Sequence, residues 1–143
     1  MKKIIITSLI LIGVLSSCKK YEDGPAISLI SKTERLSNSW KIAQVLEGGV
    51  DKTSDYQFAF NDYNLIFEND GDYSVSYKAL GILQVTETGK WSFNGDKTKV
   101  ILDPTSNNNA NNELKILRLM EEELWLMDED NNGVETEFHF IPK

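Results

Sequence analysis

The chain has 143 residues, of which 41% are hydrophobic, and a formal net charge of −7. This length suits one domain with its own core and leaves no room for a second. Because so acidic a body repels phosphates, we expect neither nucleic acid nor an anionic lipid surface among its partners.

The first 17 residues predict a removable export signal. Lys2 and Lys3 form a positive start, and a mostly apolar run follows over residues 4–14. That run is shorter than the roughly 18–20 residues that a membrane-spanning helix needs. Residues 15–18, Leu-Ser-Ser-Cys, then resemble a bacterial lipobox. The resemblance implies cleavage before Cys18 and acylation of both its sulfur and its new amino group.

Cys18 is the single cysteine of the sequence. Lipid attachment would explain an unpaired thiol in an exported protein better than a buried structural cysteine. One acyl chain binds a membrane with about 10⁴ M⁻¹ and each further buried CH₂ adds about 0.8 kcal/mol, so several chains anchor almost permanently. Many inner-membrane lipoproteins carry Asp directly after the lipidated cysteine. Lys19 occupies that position here, and the absence of Asp favours the outer membrane. Residues 20–23 look like a surface-export signal, which leaves both the periplasmic and the exposed face open.

Residues 18–36 predict a lipid-anchored tether followed by a short helix. Few apolar side chains and the pair Gly24-Pro25 are typical of a linker over residues 19–26. Ser28 is the expected N-cap of a helix that ends at Leu36. That helix would pack against one end of the domain or serve as a plug or lid.

From Trp40 onward the pattern changes to period two, with turn residues every eight to twelve positions, as in an all-β sandwich or barrel. The first strand is expected over residues 40–46. The polar stretch that follows predicts an irregular strand or a loop up to Tyr63. The best hairpin signal lies in residues 63–77, where Asp70-Gly71 separates two alternating segments.

Five further strands are expected towards the end of the chain, with a loop over residues 107–112, which are nearly all Asn. Pro104 ends one of these strands because it lacks a ladder donor. The strands are expected over residues 89–93 and 98–102, then 113–120, 124–127 and 134–141. About eight antiparallel strands in short hairpins predict an up-and-down barrel, whose closure leaves no exposed edge.

The same segments resemble the lipocalin-like lipoproteins of Bacteroidetes over about three-quarters of the chain. The matching motifs are Leu36-Ser-Asn-Ser-Trp40-Lys41, Leu65-Ile-Phe67 with residues 70–73, Gly89-Lys-Trp91, residues 116–119 and Leu124-Trp-Leu126. The resemblance implies a lipocalin-like β-barrel over residues 37–143, with a possible apolar cavity.

Eight aromatic side chains are expected to line the barrel and are the candidate ligand-binding residues. The interior of an eight-stranded barrel is either filled by its own side chains or holds one small ligand. If a pocket exists, aromatic walls and tyrosine hydroxyls suit a small amphipathic molecule or a sugar. The eight residues are Trp40, Phe67, Tyr73, Tyr77, Trp91, Phe93, Phe138 and Phe140.

Neither a metal site nor a catalytic site is expected. Asp128, Asp130, Asn132 and Gly133 match the first half of a calcium loop. The twelfth position of that loop is His139 rather than Glu, so a hairpin turn is the preferred interpretation, with weak calcium binding as the alternative. His139 is the single histidine, and alternation predicts that it faces solvent. We expect no cofactor and no enzyme.

The predicted function is that of a lipid-anchored outer-membrane protein that binds a small hydrophobic or amphipathic ligand. The alternative is a non-enzymatic adaptor or inhibitor module that has a filled barrel and contacts an unknown protein. Trp125 and Met127 could form such a contact surface if they are exposed, although a swapped strand orientation would turn them inward. The volume of the interior cavity separates the two functions.

Overall fold

The computed structural model describes residues 24–25, 28–106 and 112–143. The predicted signal peptide, Cys18 and most of the tether lie outside these residues, as does most of the Asn-rich loop. Within the described residues, no helix is both long enough and apolar enough to cross a membrane.

The described residues form nine strands and two short helices. In chain order these are α1 (Lys32–Leu36), β1 (Ser39–Glu47), β2 (Val50–Asp51), α2 (Thr53–Ala59), β3 (Phe60–Phe67), β4 (Asp72–Ala79), β5 (Leu83–Phe93), β6 (Lys99–Pro104), β7 (Asn112–Leu119), β8 (Leu124–Glu129) and β9 (Glu135–Pro142).

The strands form a closed antiparallel barrel. From β3 to β9 each strand pairs with its sequence neighbour, and β1 pairs with both β3 and β9. The two-residue strand β2 pairs with the end of β1 alone, so eight strands make the wall. The predicted all-β, up-and-down barrel of about eight strands is therefore confirmed, and closure leaves no long unpaired edge among the described strands.

The two ends of the barrel differ, and we call them the closed end and the open end. The closed end carries α1, which precedes the start of β1, whereas the open end carries α2 and the β4–β5 turn. Leu36, the last residue of α1, is fully buried, and its carbonyl accepts a 2.9 Å hydrogen bond from Nε1 of Trp40. The predicted N-terminal helix therefore packs against one end of the domain.

The N-cap of α1 is Ser31 rather than the predicted Ser28. Oγ of Ser31 accepts from the backbone N–H of Glu34, and Oε2 of Glu34 accepts from the backbone N–H of Ser31. This capping box needs Glu three residues after the cap, a spacing that Ser28 does not have.

Helix α2 lies where an irregular strand or a loop was predicted. Tyr56 and Phe60 are four residues apart, so they meet on one side of a helix, and their ring centroids lie 5.7 Å apart. Phe58 points away from both and is 72% exposed. The spacing of the three aromatic residues therefore belongs to a helical turn and its C-cap, not to the period of two of a strand.

Candidate functional site: an aromatic cavity at the open end

The barrel interior is hollow near the open end. A cavity of about 300 Å³ lies there, at the lower limit of typical small-molecule pockets. A smaller cavity of about 80 Å³ shares four of its wall residues and extends the space along the interior. We call the larger space the open-end cavity. Its walls are Ile42, Tyr56, Phe60, Tyr63, Val75, Tyr77, Val85, Glu87, Leu102 and Phe138.

Half of this wall is a continuous set of aromatic rings contributed by α2, β3, β4 and β9. The ring of Tyr56 contacts Phe138 edge-on at 5.6 Å between centroids, and Phe60 contacts Tyr77 edge-on at 5.1 Å. Tyr63 stacks on Tyr77 at 6.2 Å. These distances and tilts are those that aromatic pairs prefer, so the rings hold one another in place.

Glu87 is the one charged side chain among the described residues that line the open-end cavity. It follows Val85 by two positions on β5, and this alternation turns both side chains inward. The carboxylate is half-buried, and its Oε1 accepts a 2.9 Å hydrogen bond from the hydroxyl of Tyr73. An acidic acceptor therefore stands inside a largely apolar space.

The carboxylate of Glu87 helps to raise the pKa values of two neighbouring tyrosines. Burial, reinforced by the negative charge of Glu87, raises the pKa of Tyr63 well above its ordinary value. Burial also raises the pKa of Tyr73, and the hydrogen bond to Glu87 raises it further. Both phenols thus remain neutral donors near neutral pH, and the cavity has negative charge without a positive counterpart in its described lining.

A groove of about 310 Å³ opens on the side of the barrel and shares Ile42, Phe60 and Tyr63 with the open-end cavity. It lies where β1 and β3 diverge, since these strands pair at two positions near the closed end. Lys41, Lys143 and Asp62 line it together with polar side chains. This groove carries mixed charge, unlike the cavity.

The eight predicted lining residues divide between the two ends of the barrel. Tyr77 and Phe138 line the open-end cavity, Phe140 lines the smaller one, and Tyr73 contacts Glu87. The other four residues, Trp40, Phe67, Trp91 and Phe93, belong to the packed core or lie against it. Ligand binding by these eight side chains stays a prediction.

Sequence reasoning missed most of the cavity wall. Tyr56 and Phe60 were missed because helix α2 was not predicted. Tyr63 marks the start of the predicted strand, and its alternation with Leu65 and Phe67 places it on the inward face. Glu87 was missed because β5 was predicted to start at residue 89, whereas it begins at Leu83.

Comparison with known proteins identifies the family. Residues 18–117 match the profile described as a domain of unknown function, DUF5004. The chain belongs to the DUF5004 family. A comparison with curated proteins finds no match.

Several solved structures resemble the fold of this DUF5004 chain. A lipocalin-like protein from Bacteroides uniformis has a TM-score of 0.56 at 15% identity, over 76% of this chain and 99% of that chain. An uncharacterized protein from Bacteroides eggerthii has a TM-score of 0.52 at 10% identity, over 76% and 99%. A DUF4847 family protein from Bacteroides vulgatus has a TM-score of 0.50 at 17% identity, over 74% and 92%. The barrel is therefore lipocalin-like, and at such identities the likeness concerns the fold alone.

The outer wall of the DUF5004 domain corrects two predictions. His139 was expected to face solvent, but it is 9% exposed, and its ring stacks on Trp125 at 4.1 Å between centroids. Met127 is buried, and Arg118 lies over the Trp125 ring at 5.2 Å. Trp125 and Met127 therefore do not form the exposed contact surface that was considered.

The acidic turn between β8 and β9 is held by its own hydrogen bonds. Oδ1 of Asp130 accepts from the backbone N–H groups of Asn132 at 2.8 Å and Val134 at 2.9 Å. These bonds hold the pKa of Asp130 below its ordinary value. Gly133 adopts a φ of 79°, as a tight turn requires. In the described residues no group of three or more His, Cys, Asp or Glu side chains is placed to hold a metal ion.

Proposed function

We propose that this protein is an outer-membrane lipoprotein, anchored through Cys18, whose barrel binds a small hydrophobic or amphipathic molecule without chemical conversion. The open-end cavity is the observation that carries this proposal. Its aromatic and aliphatic walls would bury most of a small ligand, and its tyrosine hydroxyls and carboxylate would orient it. The match to the family profile begins at Cys18, where the signal peptide would be removed, which supports the proposed mature start.

In this proposal the cavity mouth points away from the membrane. Gly24 lies at the closed end, since a Cβ built on it would be 3.9 Å from the carbonyl oxygen of Leu119 and 4.0 Å from Nη2 of Arg35. The six residues from Cys18 to Asp23 reach at most about 20 Å when fully extended. The anchor would therefore hold the closed end towards the leaflet, and the ligand would enter from the aqueous side.

A cavity-filling variant tests ligand binding. Val75 lines both cavities, so Val75→Phe should reduce binding of the uncharged probe 4-phenylbutanol at least tenfold. The added ring occupies space that the probe needs, at a packing cost of about 1–3 kcal/mol. Probe affinity is measured by titration calorimetry, and a thermal melt establishes that the variant is folded.

Val50→Phe is the matched control for this variant. Val50 is 60% exposed on β2, away from the interior, so the same substitution there should leave probe binding unchanged. Equal binding by the unaltered protein and a folded Val75→Phe variant would contradict a ligand site in the barrel. Native mass spectrometry of the purified domain would identify any small molecule that the barrel retains.

Lipid attachment requires a separate test on the full-length precursor. Cys18→Ser replaces the thiol by a hydroxyl, so cells grown with radiolabelled palmitate should label the unaltered protein but not the variant. The variant should also move from the detergent phase to the aqueous phase on Triton X-114 extraction. An unlabelled, water-soluble unaltered protein would disprove the anchor.

A protein-interaction module is the second candidate function. It is favoured by exposed apolar side chains around the open end, where Phe58 is 72% and Ile82 88% exposed and Leu80 is also exposed. Such residues can contribute to a partner surface. In that case substitution of Ile82 by Ser would abolish a contact while leaving small-molecule binding intact.

A further inference from the structure

The open-end cavity contains one carboxylate, three tyrosine rings and no basic side chain in its described lining. We propose that its ligand is a small organic cation, an amine or quaternary ammonium on an apolar body, whose charged group pairs with Glu87 among the aromatic rings. This inference rests on the proposed function and specifies the class of ligand.

The first argument is the position of the charge. The carboxylate of Glu87 stands among aromatic and aliphatic walls rather than on the outer surface. A carboxylate offers about four acceptor positions, and the Tyr73 hydroxyl uses one of them. The remaining positions suit the N–H donors of an ammonium group, and charge-assisted hydrogen bonds of this kind are about twice as strong as neutral ones.

The second argument is that the lining disfavours anionic and neutral ligands. A ligand carboxylate placed beside Glu87 would bring two like charges into a partly desolvated space, which is costly without a cation between them. Lys41 and Lys143 line the adjoining groove on the side of the barrel, and neither is among the residues that line the cavity itself. A neutral ligand would displace water from the Glu87 carboxylate without supplying a positive charge in its place, so its binding would carry a desolvation cost.

The third argument is the aromatic wall. Tyr56, Tyr63 and Tyr77 present ring faces and edges within one set of ring contacts, and Glu87 lines the same cavity. A cation within about 6 Å of an aromatic centroid gains roughly 0.5–2 kcal/mol, with the larger value in desolvated sites. Quaternary ammonium groups are recognised in aromatic cages by this interaction. The rings therefore favour the same ligand charge as Glu87.

Size limits the ligand further. The cavity of about 300 Å³ corresponds to about ten water molecules at their liquid volume of roughly 30 Å³ each. A body of about ten non-hydrogen atoms fits this space. The aliphatic walls formed by Ile42, Val75 and Val85 would contact its apolar part.

The test uses three probes with one apolar body and different head groups, 4-phenylbutylamine, 4-phenylbutanol and 4-phenylbutanoate, measured by titration calorimetry on the whole mature chain. The unaltered protein should bind the amine at least tenfold tighter than the alcohol, and the acid most weakly. Glu87→Gln removes the charge but retains an amide oxygen that can accept from Tyr73. It should bring the amine-to-alcohol ratio close to one while changing alcohol binding less than threefold.

Two further variants control this experiment. Glu122→Gln makes the same chemical change on an exposed side chain in the β7–β8 turn, at the closed end, and should keep the amine preference. Tyr73→Phe removes the phenol donor but keeps the Glu87 charge, so a folded Tyr73→Phe variant should also prefer the amine. If Glu87→Gln does not fold, the affinities of the unaltered protein for the three probes still test the preferred ligand charge.

The outcomes separate this inference from the proposed function. Equal affinity for the amine and the alcohol, or an amine preference that survives Glu87→Gln, would overturn the cation proposal and leave ligand binding standing. Binding of none of the three probes would overturn both.

Discussion

Replacing Trp40 by Ala should destabilise the barrel by about 3–5 kcal/mol, the usual range for truncating a fully buried large aromatic residue. Trp40 has no exposed surface and belongs to the core cluster at the closed end. Its truncation would leave a cavity and deprive the buried carbonyl of Leu36 of its indole donor. Urea denaturation followed by far-ultraviolet circular dichroism measures the loss.

Trp40→Phe separates packing from hydrogen bonding. Phe keeps much of the apolar contact but has no N–H, so its cost should lie near 1–2 kcal/mol, close to that of an unsatisfied buried acceptor. Trp125→Ala is a second comparison, because Trp125 is only half-buried on the outer wall and should cost less than Trp40→Ala. Equal losses from Trp40→Ala and Trp125→Ala would show that α1 and Trp40 do not organise the closed end.

The strands were predictable where alternation and turn chemistry agreed. The Asp70-Gly71 hairpin joins β3 to β4, the backbone N–H of Glu68 donates to the carbonyl of Asp72 at 2.8 Å, and Gly71 has a φ of 91°. The closure of the barrel, in contrast, depends on residues that are far apart in the sequence. It depends on pairing between β1 and β9, which are about 100 residues apart and whose register shifts between Ile42 and Gln44. The closure was expected because it leaves no exposed strand edge and because the resemblance to lipocalin-like proteins implies a barrel, but the register of this pairing was not predictable.

The cavity was not predictable from alternation, because the same inward positions can fill a barrel or leave it hollow. Along β5 the inward side chains change from Val85 and Glu87 near the open end to Trp91 and Phe93 near the closed end. Large rings therefore fill one half of the interior, and smaller side chains such as Val75 leave space in the other half. The volume depends on how these positions meet across strands, which no single strand reveals.

Gly89 occupies the middle of β5, where a side chain has no room. It pairs with Tyr73 on β4 and with Pro104 on β6. A Cβ added here would overlap the carbonyl oxygen of Asp103, and it would lie 2.7 Å from Cε1 of Tyr73 and 2.8 Å from Cα of Pro104. Two of these three atoms belong to the backbone of β6, so rotation of a side chain would not relieve the overlap.

Gly89→Ala should therefore destabilise the protein by about 3 kcal/mol or more, at the upper end of the usual cost of overpacking. Gly95→Ala is the matched control. Gly95 lies in the turn after β5, and a Cβ built on it meets nothing within 4 Å, so this change should be neutral or stabilise by up to about 1 kcal/mol. Urea denaturation of both variants, read as the difference in unfolding free energy, makes the comparison.

Gly89→Ala should also alter the proposed ligand site, because it would displace the side chain of Tyr73. The ring of Tyr73 lies against Gly89 while its hydroxyl donates to Glu87, so an added methyl group would displace the ring from that hydrogen bond. Because Glu87 keeps its charge, a folded Gly89→Ala variant should lose stability yet still prefer 4-phenylbutylamine over 4-phenylbutanol. A variant as stable as the unaltered protein would show that β5 and β6 separate easily at this position, and the tight packing around Gly89 would then have no part in holding the barrel wall.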